Sequence, residues 1–406
     1  MNQEMIRIVE NISRDKNIDK ESIFQDLEAA MVSAARKHFG VQPTSEVEIV
    51  VSIDRTSGAI RAFKDDDEID IQKLGRIPAQ TAKQVMIQKI KSDERDSIFA
   101  QYVQRKGEIA SGTVARFEGG SLIVNIESRV EAIMPRAEQI TGESHHPSER
   151  IRAMILDVRE SSSQVKIVLS RTHPDFIRRL FELEVPEVAE GIIEIKSLAR
   201  ESGYRTKVAV ETLDDKVDPV GACVGVRGSR IRNIVDELGG EKIDIVRWSD
   251  SSQVLIANAL APAKVSEIAI CFELGRATVV VTEDQLSLAI GKHGQNVRLA
   301  ARLTGWDIDI LTPTEYNKEV DRLTACIKGI EEVEDSFVDK LLALGVISVL
   351  DLEEVGSGPL VEELEVEQTL AQKIITAAEE SAKEATVADN LTQAEDILKQ
   401  EKDETT

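Results

Sequence analysis

Apolar and polar positions divide the 406-residue chain into stretches of different period. Leu27, Ala30, Met31, Ala34, Ala35 and Phe39 recur at helical spacing and predict a helix within residues 1–40, closed by Gly40. Glu46 to Ile53 alternates and predicts a strand, Asp54 to Gly58 a turn, and Ala59 to Phe63 the returning strand. Asp65-Asp66-Asp67-Glu68 reads as a solvated acidic loop. From Pro78 to Arg105 no glycine or further proline intervenes, and Ala82, Val85, Met86, Ile90, Ile98, Tyr102 and Val103 form an interrupted apolar stripe. This predicts a helix of about 28 residues and about 42 Å, a strut between domains, or two helices broken near Ser92-Asp93-Glu94.

Period two then dominates. Ile109 to Phe117, Leu122 to Ile126, Val130 to Met134, Ile151 to Val158 and Val165 to Leu169 read as five short strands, with turns at Gly119-Gly120 and Thr141-Gly142. Five strands in about 65 residues predict a small OB-type barrel, an architecture that binds oligonucleotides. Phe117 is the aromatic residue near its expected binding face. A turn and short helix (Phe176 to Leu183) follow, then strands at Ile192 to Ala199 and Lys207 to Val210.

A repeat comes next. Gly225-Val226-Arg227-Gly228 recurs 66 residues later as Gly291-Lys292-His293-Gly294. At the same offset Ile231 matches Val297, Arg232 matches Arg298 and Gly239 matches Gly305; one residue is then deleted before Ile243-Asp244-Ile245 matches Ile308-Asp309-Ile310. Ile231, Ile234, Val235 and Leu238 make one face of a helix that Gly239-Gly240 stops. Helix, glycine turn, helix and strand is the KH arrangement, whose GXXG loop clamps about four nucleotides of single-stranded nucleic acid. Glycines permit close backbone approach, and the following helix N-terminus favours anions. Gly225, Gly228, Gly291 and Gly294 are assigned that approach. Val226 and Gln295 complete the two loops. Arg227, Arg230, Lys292 and His293 are assigned phosphate contacts, with Arg232 and Arg298 as weaker candidates.

The net charge of −23 runs against RNA binding, but its distribution changes that picture. Residues 315–406 hold 24 acidic and 8 basic side chains, leaving residues 1–314 at −7. Removing the acidic tail is expected to raise RNA affinity. Within it Phe337, Leu341, Leu342 and Leu344 precede Gly345, and Leu360, Leu364, Leu370, Ile374 and Ile375 make a second apolar unit, like a helix-hairpin-helix. From Ala382 onward the polar, acidic sequence predicts disorder or a frayed helix. Aromatics are 3% of the chain, so backbone clamping is expected to dominate over stacking. Cys223, Cys271 and Cys326 lack metal-ligand spacing, and His145-His146 lacks a third ligand, so neither a metal nor another cofactor is expected. No catalytic constellation stands out. No apolar run reaches membrane length, and Met1-Asn2-Gln3-Glu4 does not begin a signal peptide, so a cytoplasmic protein is expected.

The order of these parts resembles the NusA family of bacterial transcription factors. The resemblance rests on Gly75 to Val85, Leu169 to Pro174, Val185 to Val188, Ser197 to Gly203 and Asp218 to Gly225. It departs at Ser202, where the family has proline, at a short segment between Phe63 and Gly75, at Ser144-His145-His146-Pro147, and in the tail. It implies a multidomain α+β chain: a helical/β N-terminal domain with the linking helix (1–105), a five-stranded OB-type (S-one) barrel (106–172), tandem KH domains (173–246 and 247–314) and a small acidic helical C-terminal domain (315–406). It further implies a non-enzymatic monomer that binds RNA polymerase and nascent single-stranded RNA and modulates pausing, termination and antitermination, with other antitermination factors as partners. Arg76 and Lys83 fall in a strongly patterned stretch and are candidate polymerase contacts. The rival reading is a ribosome-associated or RNA-processing accessory RNA-binding protein without polymerase contact.

Overall fold

The computed structural model of the chain describes residues 6–7, 9–11, 13–14, 19–41, 47–65, 67–69, 76–127, 130–161, 164–330, 333, 336–364 and 366–383; within these, the side chains of 76–86 and 89 are outside the description. Two units form, residues 1–140 with 144–176 and residues 141–143 with 177–406. The expected disorder beyond 383 and most of the short segment before Gly75 lie outside the described residues.

In the first unit, helix α1 (Lys20–His38) begins where the Asp19 carboxylate accepts the Glu21 and Ser22 N–H groups. Its apolar stripe places Ile23, Phe24 and Leu27 in one core with Ile53. Strands β1 (Ile49–Ile53), β2 (Ile60–Lys64) and β3 (Asp67–Ile69) form an antiparallel meander. In the β1–β2 turn Arg55 pairs with Glu21 and Glu28 of α1. The expected acidic loop is partly a strand: Glu68 lies opposite Phe63, while Asp65 turns the chain and accepts the Glu48 N–H. Pairing satisfies the backbone of the β2 edge, and Asp67 and Glu68 keep their charges in water.

Helix α2 (Arg76–Gln104) is continuous over 29 residues. The polar stretch at 92–94 does not break it, because Asp93 accepts the Ser22 hydroxyl of α1 at 3.0 Å instead of capping a new helix. Ile90 packs on the core of α1, and Ile98 and Tyr102 pack in that of the barrel. The barrel closes in the order β4 (Ile109–Glu118), β5 (Ser121–Ile126), β6 (Val130–Met134), β8 (Val165–Ser170), β7 (Arg150–Glu160). Period-two residues such as Val114, Leu122, Val124, Ile155 and Ile167 fill its interior.

Helix α3 (Pro174–Glu184), which passes from the first unit to the second after Phe176, and α4 (Pro186–Ala189) precede two similar sheets. The first joins β9 (Ile193–Glu201), β10 (Arg205–Thr212) and β11 (Lys242–Arg247), with α5 (Pro219–Val224) and α6 (Ser229–Glu237) between β10 and β11. After α7 (Ser252–Ala259), the second joins β12 (Glu267–Cys271), β13 (Arg276–Val280) and β14 (Asp307–Leu311), with α8 (Glu283–Ile290) and α9 (Gln295–Thr304) inserted alike. In each, the middle strand is antiparallel to the first and parallel to the third. One core runs through both: Ala199, Ala209 and Val246 of the first join Ile256, Leu299 and Leu303. Fully buried Lys207 donates to the Ala261 carbonyl at 3.3 Å and lies 3.4 Å from Asp244. Burial lowers its pKa, and Asp244 opposes that shift.

The helices of the acidic tail pack against the second KH module. Helices α10 (Pro313–Lys328), α11 (Ser336–Ala343), α12 (Val349–Val355) and α13 (Ser357–Leu364), with a further helix over 368–383, share a core that takes in Cys271 of β12 and Leu274 of the turn after it. Gly345, at φ +79°, lies so close to β12 that an added Cβ would stand 2.2 Å from the Ile270 carbonyl oxygen. The second apolar unit of the tail is two helices: Leu360 and Leu364 lie on α13, and Leu370, Ile374 and Ile375 on the helix that follows.

Candidate nucleic-acid interface

Each glycine loop is built by the helix before it and held by the helix after it. Asp218 accepts the Gly221 N–H and Pro219 starts α5, which ends at Gly225. Burial pushes the Cys223 thiol of α5 up to about 12, so it stays protonated and packed. The loops then take nearly the same backbone path. Gly225 and Gly291 have φ/ψ of 75°/175° and 73°/175°, a region open essentially to glycine alone. Arg227 and His293 follow at φ 54° and 53°, and Gly228 and Gly294 close the turns at 75°/22° and 70°/15°. No side chain caps α6 or α9, so their first-turn N–H groups face the loop without one.

The four glycines divide into two kinds. A Cβ on Gly225 would stand 2.8 Å from the Arg230 side chain, and one on Gly291 would stand 2.9 Å from the Asn296 backbone nitrogen. These first glycines are required by the fold. A Cβ on Gly228 would meet nothing nearer than Ile231 at 3.9 Å, and one on Gly294 nothing within 4 Å. The second glycines leave space through which an external backbone can approach.

The candidate cations divide too. Arg230 donates to Glu187 at 2.8 Å and to the Ala222 carbonyl at 2.7 Å. At its repeat position Asn296 is buried and donates to the carbonyls of Leu260, Leu288 and Ala289. Ala222 and Leu288 are also 66 residues apart, so Arg230 and Asn296 are the same strut in different chemistry. Its structural use was not legible in the sequence, where Arg230 reads as a phosphate contact. Gln295 and Arg298 both donate to Glu201 at the end of β9, at 2.8 and 2.6 Å. Arg298 holds the Glu201 carboxyl below its ordinary range. They join the second module's helix to the first module's sheet.

Arg227, Arg232, Lys292 and His293 are exposed around the loops, and Val226 is 83% exposed. Phe117, on the barrel strand β4 opposite Leu122, is 53% exposed. Arg76 and Lys83 fall on α2, with side chains outside the described residues. Among the described residues no group of three or more metal-ligating side chains forms, and no helix is long and apolar enough to cross a membrane.

The duplicated loops, on sheets of one topology and beside a five-stranded barrel in the chain, define a tandem-KH RNA-binding protein. Comparison with known proteins narrows the class. Family models for a NusA N-terminal domain, a NusA-like first KH domain and a NusA-like second KH domain match residues 4–67, 171–248 and 252–318. The transcription termination/antitermination protein NusA of Halalkalibacterium halodurans is 40% identical over 343 residues, 78% of this chain and 90% of the relative. That of Bacillus subtilis is 40% identical over 347 residues, 78% and 92%. That of Mycobacterium bovis is 40% identical over 317 residues, 74% and 90%. The chain belongs to the NusA family of transcription termination/antitermination proteins.

Proposed function

We propose that this chain binds RNA polymerase through residues 1–105 and nascent single-stranded RNA through the barrel and the two glycine loops, and by holding both modulates pausing, termination and antitermination. The observation that carries the RNA contact is the pair of near-identical loop paths, each ending in a glycine with open space beside it. In this reading Gly228 and Gly294 admit the phosphate backbone. Arg227, Arg232, Lys292 and His293 supply charge. Gly225 and Gly291 shape the loops, while Arg230, Gln295 and Arg298 brace them. Phe117 is the barrel's contact, and Arg76 and Lys83 belong to the polymerase-facing part. The barrel (106–172), the KH pair (173–246 and 247–314) and the acidic helical part (315–406) follow one another along the chain.

Gly228→Asp with Gly294→Asp tests the loops. Aspartate tolerates the left-handed backbone there, so the fold should survive, and its charge repels phosphate. Filter binding at moderate salt should show a loss of about 100-fold or more in affinity for a single-stranded RNA, roughly two charge-assisted contacts per chain. Unchanged affinity overturns the twin-loop reading. For polymerase, the tagged full chain is recovered from a nuclease-treated lysate: retained polymerase subunits support the reading, and ribosomal proteins in their place support the rival one.

A further inference from the structure

The turn between β9 and β10 presents an aromatic ring that none of the roles above uses. Tyr204 is 62% exposed, and among the described residues no ring or cation stacks on it. The backbone carrying it is firmly held. The buried Glu241 carboxylate accepts both Arg200 Nε and a terminal guanidinium nitrogen, at 3.0 and 2.9 Å, the Gly203 N–H at 2.8 Å, and the Thr206 hydroxyl. The Lys242 N–H donates to the Tyr204 carbonyl at 3.0 Å. A buried ion pair such as Arg200–Glu241 adds little net stability but fixes geometry, here that of an exposed turn.

The position of the ring relates it to the first glycine loop. Helix α6 runs from Gly228 for nine residues, about 13 Å, and Gly239-Gly240 turn the chain back into Lys242, bonded to Tyr204. Four nucleotides cover at least about 14 Å, the length they would have at the compact spacing of about 3.4 Å in a duplex strand, so a strand clamped at one end of α6 reaches the other. Lys242 is exposed at that end. The equivalent turn of the second module differs. Arg205 faces Lys242 in the first sheet as Arg276 faces Asp307 in the second. In the second turn Phe272 is 73% exposed but its ring is set edge-on to Trp306, at 5.3 Å, and Arg276 is held by Asp351 and Glu354 of the acidic helices. Arg205 beside Tyr204 is likewise paired, with Asp244 at 2.6 Å, so the two turns differ in the acidic helices bordering the second and in the contact its ring makes.

We infer that Tyr204 is a stacking platform for a nucleobase of the single strand whose backbone lies on the first glycine loop. This rests on the RNA-binding reading above. It makes the first module a two-point reader, with backbone held at Gly228 and a base held at Tyr204, and the second module a backbone clamp. Stacking requires a π-face and no sequence-specific hydrogen bond, so the platform accepts any base.

The test is anisotropy of a fluorescent single-stranded RNA of mixed sequence, titrated with the full chain at several salt concentrations. Tyr204→Ala should weaken binding about five- to tenfold, the lower part of the range for one stacked base, with the slope of log affinity against log salt unchanged. Tyr204→Phe should stay within about twofold of the unaltered chain because the ring remains, and Phe272→Ala should do the same because that ring meets Trp306 edge-on in the turn bordered by Asp351 and Glu354. The Tyr204→Ala melting temperature should not move, since the ring is exposed. Binding by the unaltered chain with no loss in Tyr204→Ala overturns the platform alone. A Tyr204→Ala loss accompanied by a shallower salt slope also overturns it, by revealing a lost phosphate contact. No binding by the unaltered chain overturns the RNA reading and the platform together.

Discussion

The two KH modules share a backbone and differ in what surrounds it. Both set a glycine-only conformation at Gly225 and Gly291, and both brace the loop with the residue five positions on. The first brace is Arg230, a long side chain answered by Glu187; the second is Asn296, buried and bonded three times to backbone. Exposed Arg232 has its repeat partner in Arg298, which is committed to Glu201. The first module's turn displays Tyr204 with no ring against it, while in the second Phe272 meets Trp306 edge-on and acidic helices border the turn. A duplicated fold thus keeps its loop geometry under different chemistry, provided each copy supplies a donor that reaches the carbonyls of the preceding helix. The residues beyond that requirement are free to specialise.

Five substitutions sharpen this contrast, from the largest expected effect down. Gly345→Ala should be the most damaging, at about 3 kcal/mol or more, because its Cβ would overlap the β12 backbone and the position has positive φ. Heat unfolding should drop and proteolysis after 313 should quicken; an unaltered melt would show that the acidic helices are not fixed to the second module. Gly291→Ala should cost about 2–4 kcal/mol and Gly225→Ala about 1 kcal/mol less. The neighbour of the first is backbone, and that of the second is a flexible arginine stem that can shift. Equal losses in denaturant melts would erase this difference.

Arg230→Ala should cost about 1–2 kcal/mol by stranding Glu187 and the Ala222 carbonyl, while leaving the salt dependence of RNA binding unchanged. A salt slope shallower by about one would return Arg230 to the phosphate contacts. Arg298→Ala should have the smallest effect, about twofold or less in RNA affinity, because its pair is half in water and screened. Its signature is in pH. The Glu201 carboxyl is held below its ordinary value by Arg298, so the contribution is present above the unfolded carboxylate range and fades as pH falls through the lowered folded value. The gap between Arg298→Ala and the unaltered chain should therefore close under acid, and a gap that widens would contradict the assignment.

Local pattern determined much of this protein. The helical stripe of α1, the five period-two strands and the 66-residue repeat state their elements directly, because a buried face must recur at 3.6 or 2 residues. The repeat also made the loops legible as a pair. Tertiary structure alone decided the rest. It separated glycines demanded by φ/ψ from glycines with space beside them, a distinction invisible in four letters. It gave Arg230 and Arg298 to Glu187 and Glu201, which lie 43 and 97 residues away. It turned part of an acidic loop into a strand and bound the acidic tail's helices to the second sheet through Gly345. Periodicity reports which face of an element is buried. Which charge finds which partner depends on distances between segments far apart in the chain, and only folding sets those.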